Sequence, residues 1–232
     1  MTDAPPIWNR PERGSRGPHP THSRDEIVAA AITLADTEGL AAVSMRAVAT
    51  ALGTGAGTLY RYLSSRDDLL DLMSDRVVAE LCPYPAPGPD PTEALLHLAR
   101  RQLDLYRRHS WLVDLLPRSS GIGPESLGWF DHCLRVLEPV RCGTAAKFEA
   151  LAMMTGVVTL FARNERAAPP PAFTGLDLTA YPHLVAAFAV PGTPRPDLFE
   201  RTLRGLLSVL LADDGTAPES WGGRSVVPEE KG

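Results

Sequence analysis

Apolar positions along the chain fall at steps of three and four residues, and no segment shows the strict alternation of a half-buried strand. The pattern predicts an all-α protein. Ser23 and Glu26 have the spacing of a capping box, so the first helix starts at Ser23; Ile27, Ala30, Ala31 and Leu34 form its apolar face, and Gly39 follows its end. A second helix starts near Ser44 as N-cap and carries Met45, Val48, Ala49 and Leu52. Gly53 ends it where a left-handed residue costs least. A third, short helix begins after Thr54 or Gly55, with Leu59 and Leu63 four residues apart on one face.

A fourth helix is predicted from Ser65. Asp67 and Asp68 lie in its first turn, where carboxylates oppose the positive helix end. Leu69, Leu70, Met73, Val77, Val78 and Leu81 give it a broad apolar face. At about 16 residues it is about 24 Å long, enough to leave one domain and reach the next. The run PYPAPGPDP, with prolines at 83, 85, 87, 89 and 91, cannot be helical and reads as a stiff extended linker. Asp90 as N-cap, Pro91 and Glu93 then open a fifth helix that runs to about His109. A short helix around Trp111 to Leu116, one from Pro124, a long apolar one from about Thr144 to Ala167, a short one around Tyr181 to Val190, and a last one over about 196–212 complete the pattern. The chain divides into an aperiodic arm, read as disordered (1–22), a three-helix domain with its connecting helix (23–82), a helical bundle (83–213), and a polar, Gly/Pro-rich tail, also read as disordered (214–232).

Charge changes the picture at one place. The chain of 232 residues carries a formal net charge of −5, yet from Gly39 through Arg66 there is no acid and three arginines, Arg46, Arg61 and Arg66. Two helices joined by a tight glycine turn make a helix-turn-helix, whose second helix can enter a DNA major groove, and a local charge of +3 favours a polyanion partner. In the arm, Arg10, Arg13 and Arg16 outweigh Asp3 and Glu12. That stretch reads either as a solubilising tail or as a basic arm that touches the DNA backbone or minor groove.

The run LGTGAGTLYRYLSSRDDLLDLM resembles the helix-turn-helix and following helix of the tetracycline-repressor (TetR) family of bacterial transcription regulators. Leu52-Gly53, Thr58-Leu59-Tyr60, Ser65-Arg66 and Leu69-Leu70 carry the likeness, which runs roughly from Ser23 to Leu81; beyond it only the architecture is similar. The resemblance implies a DNA-binding domain followed by a ligand-binding and dimerisation domain. It implies a base-contacting role for Arg46, phosphate or base contacts for Tyr60 and Tyr62, and a phosphate contact for Arg66. Chemistry alone adds that an arginine at Arg46 can fork onto guanine O6 and N7. Thr58 suits a thymine methyl or a phosphate, Arg61 is a groove candidate, and Ser44 can donate to a phosphate although capping alone explains it. Gly55, Ala56 and Gly57 stand where many relatives carry longer polar side chains, so they offer little direct readout.

Helix bundles hold ligands between helices, in mostly apolar pockets with few polar groups. The candidates are His97, Arg101, Trp111, Trp129, Phe130, His132, Met154, Thr155, Phe161 and Asn164; ordinary core or surface roles are the alternative for each. They suggest a largely apolar small-molecule effector. A dimer face is expected from Phe148, Thr155 and Val158 on the long apolar helix, with Leu203, Leu207 and Leu210 on the last one, unless these side chains only fill their own subunit.

Other classes lack their marks. GxSxG, HExxH, GxxxxGK[ST] and a GxGxxG after a strand are absent, and GTGAG at 53–57 lies between helices. The six histidines show no metal-ligand spacing, so neither a metal nor a cofactor is expected. Cys82, Cys133 and Cys142 have no CxxC spacing and read as reduced thiols in a cytoplasm. Mean hydropathy is −0.08, and neither an uninterrupted apolar run of membrane length nor a signal-peptide core is expected. The function predicted is a ligand-responsive DNA-binding regulator, most simply a homodimeric repressor released from a palindromic operator by its effector. The alternative is a small-molecule-binding or catalytic helical protein with an incidental helix-turn-helix. Tight, salt-dependent binding to duplex DNA separates the two.

Overall fold

In the computed structural model, residues 7–10, 22–115, 122–166, 178–189 and 197–212 are described; among them are ten α-helices and no strand. They are α1 (Arg24–Glu38), α2 (Met45–Ala51), α3 (Ala56–Leu59), α4 (Arg66–Val78), α5 (Pro91–Arg108), α6 (Leu112–Leu115), α7 (Pro124–Val136), α8 (Thr144–Arg166), α9 (Pro182–Ala189) and α10 (Leu198–Leu210).

Local chemistry sets the ends. The capping box at α1 is made in both directions: Glu26 N–H donates to Ser23 Oγ, and Ser23 N–H donates to the Glu26 carboxylate at 2.8 Å. Ser44, Ser65 and Asp90 cap α2, α4 and α5 as their sequence positions predict. Gly53 takes the left-handed conformation, φ 66°, that turns α2 toward α3. α3 is shorter than the pattern suggests. Only Ala56–Leu59 is α-helical, and the chain continues in turns to Leu63, whose N–H still reaches Leu59.

α1 packs on α2 and α4, and α2 on α3, closing a small core around Ile27, Val48, Leu59, Leu63 and Met73. α5 is the axis of the second body, flanked by α7, α8 and α10. Arg100 to Glu200 and Arg107 to Glu165 tie it to α10 and α8. α4 belongs to both bodies: it packs on α1 at one side and α7 at the other, and a 3-10 turn, Ala79–Leu81, carries it to the proline linker.

Two expectations change here. The arm is not unstructured at residues 7–10, where Ile7–Asn9 form a 3-10 turn and Ile7 is buried. The Arg24 guanidinium donates to the Ile7 and Arg10 carbonyls, and Arg10 pairs with Asp68 at 2.9 Å. A buried isoleucine and an ion pair to α4 hold the strap, so Arg10 faces protein. Arg13, Arg16, the rest of the arm and the tail beyond Ala212 lie outside the described residues. The second change concerns α8, which over Thr144–Glu165 is long and apolar enough to cross a membrane by length and composition. Lys147 and Glu149 interrupt the run, so a search for uninterrupted apolar residues misses it. α8 packs one face on α5 and α10 and leaves a second apolar face exposed.

Candidate nucleic-acid interface and effector cleft

The helix-turn-helix presents Arg46, Tyr60 and Arg61 as exposed side chains within the acid-free segment. Arg46 stands in the first turn of α2, and Tyr60 follows α3 with 56% of its surface exposed. Tyr62 and Thr58 are half-buried, Tyr62 against the core. Ser44 Oγ accepts the Ala47 N–H at 3.1 Å, so its hydroxyl works as a cap. A Cβ added at Gly55 or Gly57 would meet nothing within 4 Å, which leaves this surface open for a close backbone approach.

Arg66 is placed differently from its expected role. Its Nε donates to the Val43 carbonyl at 2.7 Å and an Nη to Leu40 at 3.2 Å, so the half-buried fork holds the 3-10 turn Leu40–Ala42 that precedes α2. The turn carbonyls need donors, and Arg66 at the start of α4 is the charge within reach.

Two contacts that the apolar pattern does not reveal join the bodies. Asp75, buried on α4, accepts the Glu125 and Ser126 N–H groups and caps α7. Asp36 near the end of α1 accepts the Trp111 indole N–H at 2.6 Å and lies 2.8 Å from His109 Nδ1, while His109 Nε2 lies 3.0 Å from Glu80. Asp75 lies two residues from both Met73 and Val77, on the other side of the helix from their stripe, so periodicity singles out neither it nor Asp36.

Between the proline linker, the start of α5 and α7 lies a cleft of about 350 Å³. Pro85, Pro89, Leu98 and Val136 supply apolar walls, and His97 and His132 also line it. His132 is buried; its Nδ1 meets an Arg135 Nη at 2.7 Å, its ring stacks on Tyr84 at 4.7 Å, and its Nε2 has no partner. Burial, and then Arg135, lower the His132 pKa below the ordinary imidazole value. The Tyr84 hydroxyl is also buried, and burial, then a side-chain interaction with the Cys82 thiol, raises its pKa. Arg101 reaches across to the Pro83 carbonyl at 2.9 Å and anchors the linker.

Of the ten ligand candidates, only His97 and His132 line this cleft. Trp111 is committed to Asp36. Trp129 packs on Tyr84 at 5.9 Å, and Phe161 stands edge-on to Phe199. Met154 is core, Phe130 and Thr155 are half-buried, and Asn164 is exposed. Cys133 on α7 is buried, and burial pushes its thiol up to about 12, which leaves it inert.

The dimer candidates divide. Val158, Leu203 and Leu207 are fully buried in their own subunit, because they lie on the faces where α8 and α10 pack on α5 and on each other. Phe148 is exposed, and Thr155 and Leu210 are half-buried. The exposed stripes run through Phe148, Ala152, Gly156 and Leu160 on α8 and Leu198, Gly205 and Val209 on α10.

An N-terminal helix-turn-helix joined by a long helix to an α-bundle defines a class of bacterial regulators. The sequence model for bacterial regulatory proteins of the tetR family matches residues 27–73, and that for the tetracyclin repressor-like C-terminal domain matches residues 84–213. The chain belongs to the TetR family. HTH-type transcriptional repressor DrrR1 of Streptomyces coeruleorubidus is 37% identical over 167 residues, covering 68% of this chain and 59% of that protein. An HTH-type transcriptional regulator of Saccharopolyspora erythraea is 30% identical over 152 residues, 66% of this chain and 64% of its own length. The chain thus spans about three-fifths of the length of these relatives. Among solved structures, apo ActR from Streptomyces coelicolor superposes with a TM-score of 0.71 at 27% identity, over 86% of this chain and 99% of that one. ActR in complex with actinorhodin gives 0.70 at 27% identity, over 84% and 99%.

Proposed function

We propose that this chain is a cytoplasmic, homodimeric transcriptional repressor that binds a palindromic DNA operator and leaves it when a small molecule occupies the second body. It acts by binding and not by turnover. The observation that carries this reading is the exposed trio Arg46, Tyr60 and Arg61 on a segment with no acid. The named repressor function of DrrR1 and the actinorhodin complex of ActR support it.

Arg46 reads a guanine edge, while Tyr60 and Arg61 take phosphate or base edges. One helix-turn-helix makes few contacts, so two copies act together on half-sites about 34–36 Å apart. The dimer forms through the exposed stripes of α8 and α10, where the small residues Ala152, Gly156 and Gly205 let helices approach closely. Effector binding moves α4, and with it the spacing of the two recognition helices. A shift of a few ångströms prevents both from entering successive grooves. To carry the population from 1:99 to 99:1 the effector must favour the released state about 10⁴-fold, and by linkage operator DNA weakens effector binding by the factor that effector weakens DNA binding.

Selection of bound duplexes from a genomic DNA library, followed by titration at several salt concentrations, tests this. A palindrome bound with a steep salt slope, and weakened by Arg46→Ala, is the expected result. Equal affinity for selected and scrambled duplexes would sink the reading.

A further inference from the structure

α3 ends at Leu59, so two of the three exposed DNA-facing candidates, Tyr60 and Arg61, lie beyond it in the turn 60–64. At its start this turn is held by α3. Arg61 N–H reaches the Thr58 carbonyl at 3.2 Å, and Tyr62 N–H reaches the Leu59 carbonyl at 2.9 Å. One turn of helix followed by irregular chain is a weak scaffold for its own side chains. The support for the far end comes from other parts of the molecule.

Arg24 on α1 donates to the Tyr62 carbonyl at 3.4 Å. The same guanidinium donates to the Ile7 and Arg10 carbonyls of the N-terminal strap. Arg10 Nη1 then donates to Ser64 Oγ at 3.0 Å and to the Asp68 carboxylate at 2.9 Å, and that carboxylate also accepts the Ser64 N–H at 2.8 Å. Buried Ile7 anchors the strap by an apolar side chain as well. The Arg10–Asp68 pair is largely shielded, so solvent screens it less than a surface pair. The strap therefore holds the far end of the turn twice, at Tyr62 through Arg24 and at Ser64 directly. Residues 7–10 precede residues 27–73, so this support comes from outside the matched helix-turn-helix domain.

We propose that Arg10 is a positioning residue for DNA recognition: from the strap it fixes the turn 60–64, and with it the direction in which Tyr60 and Arg61 meet the duplex, without touching DNA itself. This rests on the repressor reading and adds to it a residue outside the matched domain that sets its affinity. The physical reason is preorganisation. A turn already held in its bound form loses less freedom when the duplex arrives, whereas a turn released at Ser64 must be ordered on binding.

The probe is the duplex that the unaltered chain selects from a genomic DNA library, titrated at several salt concentrations. Arg10→Ala should bind it about three- to tenfold more weakly, the usual cost of ordering one or two side chains. The slope of log affinity against log salt should stay unchanged, because no phosphate contact is lost; loss of a phosphate-binding arginine would flatten it by about one. In a Tyr60→Ala, Arg61→Ala background, measured at low salt to keep the weakened proteins in range, adding Arg10→Ala should cost less than about twofold, since the side chains it aims are gone. A merely structural role would give the full loss in both backgrounds. In the free protein, the Tyr62, Leu63 and Ser64 amides, all hydrogen-bonded in or beside the turn, should exchange several-fold faster in Arg10→Ala while those of α5 keep their rates. Unaltered affinity, a flattened salt slope, a full loss in the doubly substituted background, or turn amides with unchanged rates would each overturn the proposal. A chain that selects no duplex loses the repressor reading and this inference with it. A chain that selects one but is indifferent to Arg10→Ala keeps that reading and loses this one.

Discussion

Asp75 Oδ1 accepts the backbone N–H of Ser126 at 3.0 Å, so a side chain in the middle of α4 caps the N-terminus of α7. The helix that begins beside the DNA-reading domain is thereby fastened to the helix that bears His132. Gly123 makes the contact possible, because a Cβ there would lie 2.2 Å from Asp75 Cγ. Asp75→Ala should cost about 1–2 kcal/mol, the usual value of an N-cap. Gly123→Ala should cost a similar amount by displacing the carboxylate. Because both act on one contact, the double variant should be clearly less destabilised than the sum of the singles. Urea denaturation of the four proteins measures this, and strict additivity would contradict it.

Two arginines of the acid-free segment should separate cleanly. Arg66 holds the Val43 and Leu40 carbonyls with a half-buried fork, so Arg66→Ala should lower the stability of the helix-turn-helix domain, by about 1.5–3 kcal/mol for a charged hydrogen bond. Arg66→Lys should rescue poorly, since an ammonium cannot reproduce the fork. Arg46→Ala removes an exposed side chain, so stability should stay within about 0.5 kcal/mol while operator affinity falls and preference at one guanine relaxes. Thermal melts paired with DNA titrations check both. An Arg66→Ala protein with unaltered melting would return Arg66 to a purely DNA-facing role.

On the proposed dimer face, Phe148→Glu should give a folded monomer, because Phe148 is exposed in the single subunit. Leu207→Glu should unfold the subunit instead, since it places a charge at a fully buried position. Sedimentation together with circular dichroism distinguishes the two outcomes. A Phe148→Glu protein that remains dimeric would move the interface elsewhere.

The elements were legible in the sequence because their ends are written locally. The Ser23 box, the Ser44, Ser65 and Asp90 caps and the Gly53 turn each need only neighbouring residues, and each is found where it reads. Periodicity also marks which faces are apolar, but not what covers them. Val158, Leu203 and Leu207 share apolar faces with residues left exposed, and only packing against α5 decides which stripe is internal. The roles of Arg66, Asp75, Asp36 and Trp111 rest on contacts between segments 23 to 75 residues apart, which local pattern does not encode. His97 and His132 line the cleft, whereas Trp129 and Phe161 pack on other aromatic rings, and residue type alone does not separate the two groups.

The Asp36 to Trp111 bond joins α1 to the second body at a distance of 2.6 Å. Asp36→Ala leaves the buried indole N–H without its acceptor and should cost about 1–3 kcal/mol. Trp111→Phe removes the donor as well, so adding Asp36→Ala to it should cost less than Asp36→Ala alone, with the His109 contact still left to lose. A double-mutant cycle by denaturant titration measures the coupling, and a value near zero would make the contact incidental.

Acid should weaken the fold through His132. Burial, and then the Arg135 charge, lower its pKa in the folded chain, whereas an unfolded imidazole keeps the ordinary value of about 6.5. Below about pH 6.5 the unfolded chain therefore takes up a proton that the folded chain resists. The unfolded state binds more protons in that window, so stability falls as pH drops and levels off once the folded ring protonates as well. Above about pH 6.5 both states are neutral and the group contributes no slope. His132→Phe should lose this segment of the pH dependence. Urea midpoints of the two proteins, measured from pH 5 to 8, should therefore diverge in slope only on the acid side. Parallel curves throughout would mean that His132 titrates in the folded chain as it does in water, and that Arg135 and burial do not hold its ring neutral.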